Sequence, residues 1–85
     1  MGRKGQTDEA IHQFQEAIRL KPHDADAHYN LGFALGRKGQ SDEAIRQFQE
    51  ALKLKPDFAE ARRSLAVVLA SKARASQPAG ISTNR

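Results

Sequence analysis

The chain has 85 residues, no cysteine and a formal net charge of +4 at pH 7. This length suits one small domain, and the lack of cysteine excludes disulfide bonds and cysteine-ligated zinc. No apolar run approaches the roughly 18 residues that a membrane span needs, and the polar opening residues do not form a signal peptide. We therefore expect a cytoplasmic protein with no membrane partner.

The first predicted helix covers residues 7–21. Its apolar residues recur at helical spacing, at Ala10, Ile11, Phe14, Ala17 and Ile18. Thr7 is a good N-cap residue, and Asp8 and Glu9 follow it as favourable partners of the helix dipole. Pro22 disfavours helix in the residue before it and is expected to end the element.

The second predicted helix covers residues 24–38 and starts near Asp24. Its apolar stripe consists of Ala27, Leu31, Ala34 and Leu35. Two basic residues, Arg37 and Lys38, lie at its end, and Gly39 suits a left-handed C-terminal cap.

The third and fourth predicted helices cover residues 41–54 and 57–75. Ser41 is the expected N-cap of the third helix, and Pro56 is expected to stop it. The fourth helix carries Ala61, Leu65, Val68 and Leu69 at helical spacing. Residues 76–85 show no apolar periodicity, so a flexible tail is predicted there.

Internal repetition dominates the sequence. Residues 2–35 align without a gap with residues 36–69 at an offset of 34, and 21 of the 34 aligned pairs are identical. A period of this length indicates an architecture of stacked helical units. The middle copy reads His28-x2-Leu31-Gly32-x2-Leu35, then Ala44-x3-Phe48, then Pro56.

This pattern resembles the tetratricopeptide repeat, whose signature is W-x2-L-G-x2-Y, then A-x3-F, then P. The resemblance implies an all-α fold in which four helices form antiparallel hairpins of a right-handed solenoid. The domain is then residues 2–75, divided into a half repeat at 2–22, a full repeat at 23–56 and a half repeat at 57–75. Two departures are notable: His28 and Arg62 stand in place of the signature tryptophan, and Gly32 becomes Ala66, where we expect alanine to fit.

No catalytic constellation is present in the sequence. It has no phosphate-binding loop, nucleophile motif or cysteine, and the paired carboxylates are explained by helix starts. The spacing of His23 and His28 does not suit a metal site, so His28 is interpreted as a half-buried ring, or alternatively as a pH-sensitive contact. We predict that the protein is not an enzyme and needs no cofactor or metal.

The resemblance also implies a protein or peptide partner in a concave groove. The residues that it places there are Asp26, Tyr29, Asn30, Phe33, Arg37, Glu60, Arg63, Ser64 and Val67. Asn30 matches an asparagine that holds peptide backbone in some members, and Arg37 and Arg63 would meet a carboxylate. The carboxylate clamp of chaperone-binding members is not matched. The aromatic and aliphatic members of the set either are exposed for binding or pack on a neighbouring helix.

A second hypothesis is self-association, with a dimer as the expected product. The first and last helices carry apolar residues that one neighbour cannot cover fully: Ala10, Ile11, Phe14, Ile18, Leu65, Val68 and Leu69. A one-way filament, a dimer swapped at the turn of residues 36–40, or coverage by flanking repeats or by the tail are the alternatives. Nucleic-acid binding is a weaker hypothesis, because most basic residues lie at helix ends and no aromatic residues alternate with them.

Overall fold

The structure is a computed structural model that describes residues 3–76. It contains four α-helices: α1 (Arg3–Leu20), α2 (Ala25–Lys38), α3 (Ser41–Leu54) and α4 (Ala59–Ser76). No strand occurs in this range, so the predicted all-α class with four helices is confirmed. Ser76, which was assigned to the tail, is the last residue of α4. The remainder of the predicted tail lies outside the described residues.

Helix α1 begins at Arg3, four residues before the predicted start. Thr7 therefore lies inside the helix, and its predicted N-cap role is wrong. Residues 3–6 repeat the sequence that turns the chain after α2, yet Gly5 is helical whereas its counterpart Gly39 has a φ of 91°. The difference shows that this short sequence turns the chain where α3 packs back on α2, and continues as helix elsewhere.

Helix α2 has caps at both ends, and the C-terminal cap at Gly39 was predicted. The Asp24 side chain accepts a hydrogen bond from the Ala27 backbone N–H at 3.3 Å. At the other end, Gly39 takes the left-handed conformation, which an L side chain rarely adopts, and its N–H donates to the Gly36 carbonyl at 3.0 Å. This turn reverses the chain so that α3 lies against α2.

The starts of α3 and α4 differ slightly from the prediction. Ser41 is the first helical residue of α3, so it is not the N-cap; Gln40 occupies that place without a capping side-chain bond. The predicted carboxylates do lie in the first turn of α3, whereas the matching pair in α1 lies one turn further along because that helix starts earlier. Helix α4 begins at Ala59 rather than at residue 57.

Each helix packs on the next helix in the chain. The contacts are α1 with α2, α2 with α3 and α3 with α4, while α4 touches α2 only lightly and α1 reaches neither α3 nor α4. Because the connecting turns are short, successive helices run antiparallel. The core is centred on α3, where Ala44, Phe48 and Ala51 are almost completely inaccessible to solvent.

Two ion pairs repeat at the 34-residue period. Lys38 Nζ of α2 lies 2.6 Å from Asp8 Oδ1 of α1, and Lys72 Nζ of α4 lies 2.7 Å from Asp42 Oδ1 of α3. The contact of α1 with α2 is therefore equivalent to the contact of α3 with α4.

Phe14 and Phe48 are equivalent in sequence but not in burial. Their equivalence in the repeat predicts that both rings are buried between helices, and this prediction is confirmed for Phe48, which is 1% exposed. Phe14 is only partly buried, because α1 contacts a single helix, α2. The equal-burial prediction is therefore wrong for Phe14.

Candidate functional site

A cleft of about 560 Å³ lies between α2 and α4, with α3 beneath it; we call it the main cleft. Five of the nine predicted groove residues line it, namely Phe33, Arg37, Arg63, Ser64 and Val67. Gly32 and Gly36 of α2 also line the cleft, together with Phe48. The glycines carry no side chain, so the ring of Phe48 packs directly against Gly32 and forms part of the wall of the cleft.

A second cleft of about 490 Å³ lies between α1 and α2. Asn30, Phe33 and Arg37 line it from α2, and Phe14 lines it from α1. Phe33 and Arg37 thus border both clefts and form the ridge between them. The structure therefore brings six of the nine predicted residues to two adjoining clefts rather than to one continuous groove.

The other three predicted groove residues have different environments. Asp26 and Glu60 are exposed and line neither cleft. Tyr29 packs inward: its ring centroid lies 5.0 Å from that of Phe58 and 5.8 Å from that of Phe48. Of the two roles considered for Tyr29, packing on a neighbouring helix is the one that the structure supports, because its ring joins two parts of the core.

Two arginines give the main cleft a positive charge. In the part of the chain that the structure describes, the ion pairs involve Arg19, Lys38 and Lys72, and neither Arg37 nor Arg63 has an acidic partner. Both arginines are exposed. Their guanidinium groups are therefore available to a carboxylate on a bound molecule, which a planar fork of N–H donors suits well.

Two family models match the chain. One, described as TPR repeat, matches residues 3–39, and the other, described as tetratricopeptide repeat, matches residues 25–58. Together they span about two thirds of the chain and include all of α1, α2 and α3. The chain belongs to the tetratricopeptide repeat family. A search of curated proteins found no match.

Tetratricopeptide repeats are protein–protein interaction modules, and the family is typically non-catalytic. Within residues 3–76, no group of three or more His, Cys, Asp or Glu side chains is placed to hold a metal ion. No helix in the same range is long and apolar enough to cross a membrane.

His28 replaces the tryptophan of the family signature and is more deeply buried than predicted, at 7% exposure. Its Nε2 lies 2.9 Å from the Pro22 carbonyl in the turn between α1 and α2. Its Nδ1 lies 2.7 Å from Oε1 of Gln47 on α3. Because the Pro22 carbonyl can only accept, Nε2–H of His28 donates to it. His28 therefore joins the α1–α2 turn to α3, and the pH-sensitive role considered for it stays a prediction.

The outer helices of this tetratricopeptide repeat have faces that the described residues do not cover. On α4, Leu69 is 46% exposed, Ala66 is exposed, and Leu65 and Val68 are only partly buried. On α1, Ala10 and Phe14 are partly buried and Ile18 packs at the edge of the core. Ile11, which was predicted to take part in self-association, is buried against α2 and is not on the uncovered side.

Sequence reasoning missed one structural residue, Phe58. It is buried with Ala51 and Ala61, and Lys55 Nζ lies 4.8 Å from its ring centroid. Phe58 aligns with the N-cap Asp24, so the repeat gave no signal for it; an apolar residue just before a helix was the available clue. Gly32 was recognised as part of the repeat signature, but its contact with the Phe48 ring emerged only from the packing.

Proposed function

We propose that the chain is a non-catalytic scaffold that binds an extended peptide along α2 and α4. The observation that carries this proposal is the main cleft, in which apolar groups lie beside two arginines without acidic partners among the described residues. Its volume of about 560 Å³ lies in the range of ligand-binding clefts, about 300–1,000 Å³. The cleft could therefore hold a few side chains of a peptide.

The apolar part of the cleft supports binding of an apolar side chain. Phe33 is 50% exposed and Val67 is 67% exposed, and both line the cleft. Large apolar groups that lie together at the surface mark interaction sites more often than single exposed residues do. A ligand side chain placed between them would be removed from water together with the two protein side chains.

The charged part of the cleft supports a ligand with a carboxylate. Arg37 and Arg63 line the same cleft from opposite helices. A peptide with an aspartate, glutamate or terminal carboxylate near an apolar residue would meet both parts of the cleft at once. Asn30, which lines the adjoining cleft, is placed to hydrogen-bond the backbone of a peptide that crosses the ridge.

The test is a binding assay on an array of twelve-residue peptides graded in acidic and apolar content. We expect peptides with a carboxylate next to an apolar side chain to bind, and Arg37→Gln or Arg63→Gln to weaken them at least about fivefold. Arg46→Gln is the matched control, because Arg46 is also an exposed arginine, on α3 and outside both clefts. Binding that responds to Arg46→Gln and ignores both cleft substitutions would contradict the proposal.

A second proposal is self-association through α1 and α4, with a dimer as the product. It is supported by the uncovered apolar residues on these two helices, above all Leu69. A closed two-fold dimer and a one-way chain of copies use the same pair of faces, and a swapped dimer would require the Gly39 turn to open. Sedimentation over a range of concentrations tests this proposal: only monomer at high micromolar concentration would contradict it.

Two further proposals concern the division of the chain into repeats and the location of the protein in the cell. We propose residues 2–75 as the repeat domain, with half repeats at 2–22 and 57–75 on either side of a full repeat at 23–56. The repeated ion pairs at Lys38 and Lys72 support this division, since the same contact joins the first half repeat to the full repeat and the full repeat to the last half repeat. We also propose a cytoplasmic location, which fractionation of cells that make the protein would test.

A further inference from the structure

We infer that the uncovered face of α4 receives α1 of a second copy, in the geometry with which α3 packs on α2, and that the Ala66 methyl group limits how closely the two helices approach. This inference rests on the proposed self-association and deepens it. It names the two faces that meet and the single residue that sets the strength of the contact.

The face of α4 that needs cover is defined by comparison with α2. Four residues of α2 are buried, namely Leu31, Gly32, Ala34 and Leu35, and each has an equivalent in α4 that lies 34 positions later. In α4 the equivalents Leu65, Ala66, Val68 and Leu69 are exposed or only partly buried. The clearest pair is Leu35, which is 5% exposed, and Leu69, which is 46% exposed. Because α3 packs on α2 whereas no described helix follows α4, an α3-like helix is what α4 lacks.

Helix α1 is such a helix. Residues 7–20 of α1 and 41–54 of α3 are identical at 10 of 14 positions, and the other four pairs are Thr7/Ser41, His12/Arg46, Ile18/Leu52 and Arg19/Lys53. All four exchanges keep the chemical character of the side chain or its exposure to water. The α1 residues Ala10, Phe14 and Ala17 are partly buried, whereas their α3 equivalents are almost completely buried. The uncovered side of α1 therefore carries the same residue types that are buried in α3.

The lengths of the two helices fit the same arrangement. Helices α2 and α3 have 14 residues each, whereas α1 and α4 have 18. In the repeat alignment, the additional residues of α4 are 73–76 at its end, and those of α1 are 3–6 at its beginning. In an antiparallel pair of α4 with α1 of a second copy, these extra turns lie at the same end and extend the contact by about one turn each.

The α2–α3 contact shows what Ala66 would meet. A Cβ atom placed on Gly32 would lie 2.8 Å from Cε1 and 2.9 Å from Cδ1 of Phe48, and 3.2 Å from the Ala44 carbonyl oxygen. At the equivalent contact between copies, Ala66 supplies that Cβ and Phe14 supplies the ring. The ring must rotate or the helices must move apart, which weakens the contact relative to α2–α3. The expectation that alanine fits at this position therefore holds only with such a shift.

The first experiment compares the full 85-residue chain with its Ala66→Gly variant by sedimentation equilibrium. We expect the variant to self-associate about five- to tenfold more tightly, because removing the methyl group relieves the overpacking. Ala75→Gly is the matched control: it makes the same change in α4, at an exposed position about two and a half turns further on and thus on the opposite side of the helix. This control should not tighten association. Circular dichroism verifies that both variants remain helical.

A second variant identifies the ring that Ala66 meets. In a Phe14→Leu background the planar ring is absent, so Ala66→Gly should tighten association less than about twofold. If Ala66→Gly no longer tightens self-association in this background, the result supports contact between α1 and α4 of different copies. If the original chain self-associates but Ala66→Gly does not tighten it, or tightens it equally without the ring, the inference is wrong and the proposed self-association stands. If neither the original chain nor Ala66→Gly self-associates, both are wrong.

Discussion

Phe48 is held by two neighbouring helices, and its ring touches Tyr29 and lies directly under Gly32. Phe14 has the same local sequence but only one neighbouring helix. The stabilisation that a large side chain provides depends on the apolar area that its neighbours remove from water and on how completely they enclose it. These two phenylalanines therefore offer a direct comparison within one molecule.

We expect Phe48→Ala to lower the free energy of unfolding by about 3–5 kcal/mol, the usual loss for a fully buried phenylalanine. Phe14→Ala should cost about half as much, because the ring is already partly exposed to water. Urea denaturation of both variants at low protein concentration measures the difference. Equal losses would indicate that the two rings are equally enclosed in solution.

Gly32→Ala should destabilise the fold despite the higher helix propensity of alanine. The added Cβ would overlap the Phe48 ring, which should lower the free energy of unfolding by about 1–3 kcal/mol. The higher helix propensity of alanine offsets about 1 kcal/mol of this loss. Gly36→Ala is the control in the same helix, since its Cβ would meet Ala44 Cβ at 3.9 Å and Val68 Cγ2 at 4.0 Å, which are ordinary contacts. That variant should be more stable than the original chain in thermal melts, and stabilisation by both substitutions would contradict the packing described here.

At the scale of helices, the ion pair between Asp42 and Lys72 links the first turn of α3 to the last part of α4. The hydrogen bond from the Lys72 ammonium, together with its charge, lowers the pKa of the Asp42 carboxyl below its ordinary value of 3.8. The folded state therefore favours the ionised form. Its stabilising contribution is complete above the pKa of the unfolded chain and is lost as the pH falls through the lower pKa of the folded chain.

We expect Asp42→Asn to reduce the dependence of the melting temperature on pH below about pH 4. In high salt, where the ion pair is already screened, the substitution should change the melting temperature little. The change should be small, because both side chains are largely exposed to solvent. Thermal melts between pH 2.5 and pH 6 at low and high ionic strength measure it. Lys72→Gln is the matching change on the other partner, and a pH dependence unchanged in both variants would rule out a stabilising pair.

At the scale of the whole molecule, we expect the backbone amides of the central hairpin, α2 and α3, to be the best protected against hydrogen exchange. Helices α2 and α3 contact neighbours on both sides, whereas α1 and α4 form the edges. Edge elements of a repeat protein open at lower free energy, because stability is close to a sum of contacts between neighbours. Self-association would cover these edges and so raise their protection by mass action.

Hydrogen exchange at two protein concentrations tests this view. At low concentration, we expect amides of α2 and α3 to exchange slowest. At high concentration, amides of α1 and α4 should slow at least about tenfold, with a smaller change in the central hairpin. A chain with the same exchange pattern at both concentrations, and slowest exchange in α1 or α4, would contradict both the packing order and the proposed self-association.

The repeat pattern in the sequence was sufficient to determine the number of helices, their approximate limits and the core of the middle unit. Pro22 and Pro56 end helices through local sterics, Gly39 turns the chain through its left-handed backbone, and the apolar spacing shows which residues share a helix face. These are short-range effects that depend only on nearby residues. The family resemblance added a predicted groove, and the structure brings Phe33, Arg63 and four other predicted groove residues to two adjoining clefts.

Only the tertiary structure decided how repeated residues come to differ. Gly5 is helical, whereas Gly39 turns the chain. Phe14 is partly buried, whereas Phe48 is enclosed. Tyr29 joins the core, which was one of the two roles that the sequence left open for it beside the groove implied by the family resemblance. In each case the local sequence is the same or uninformative, and a helix distant along the chain makes the difference. Burial and close contact depend on which neighbours are present, so a local pattern indicates which face a residue lies on but not what covers that face.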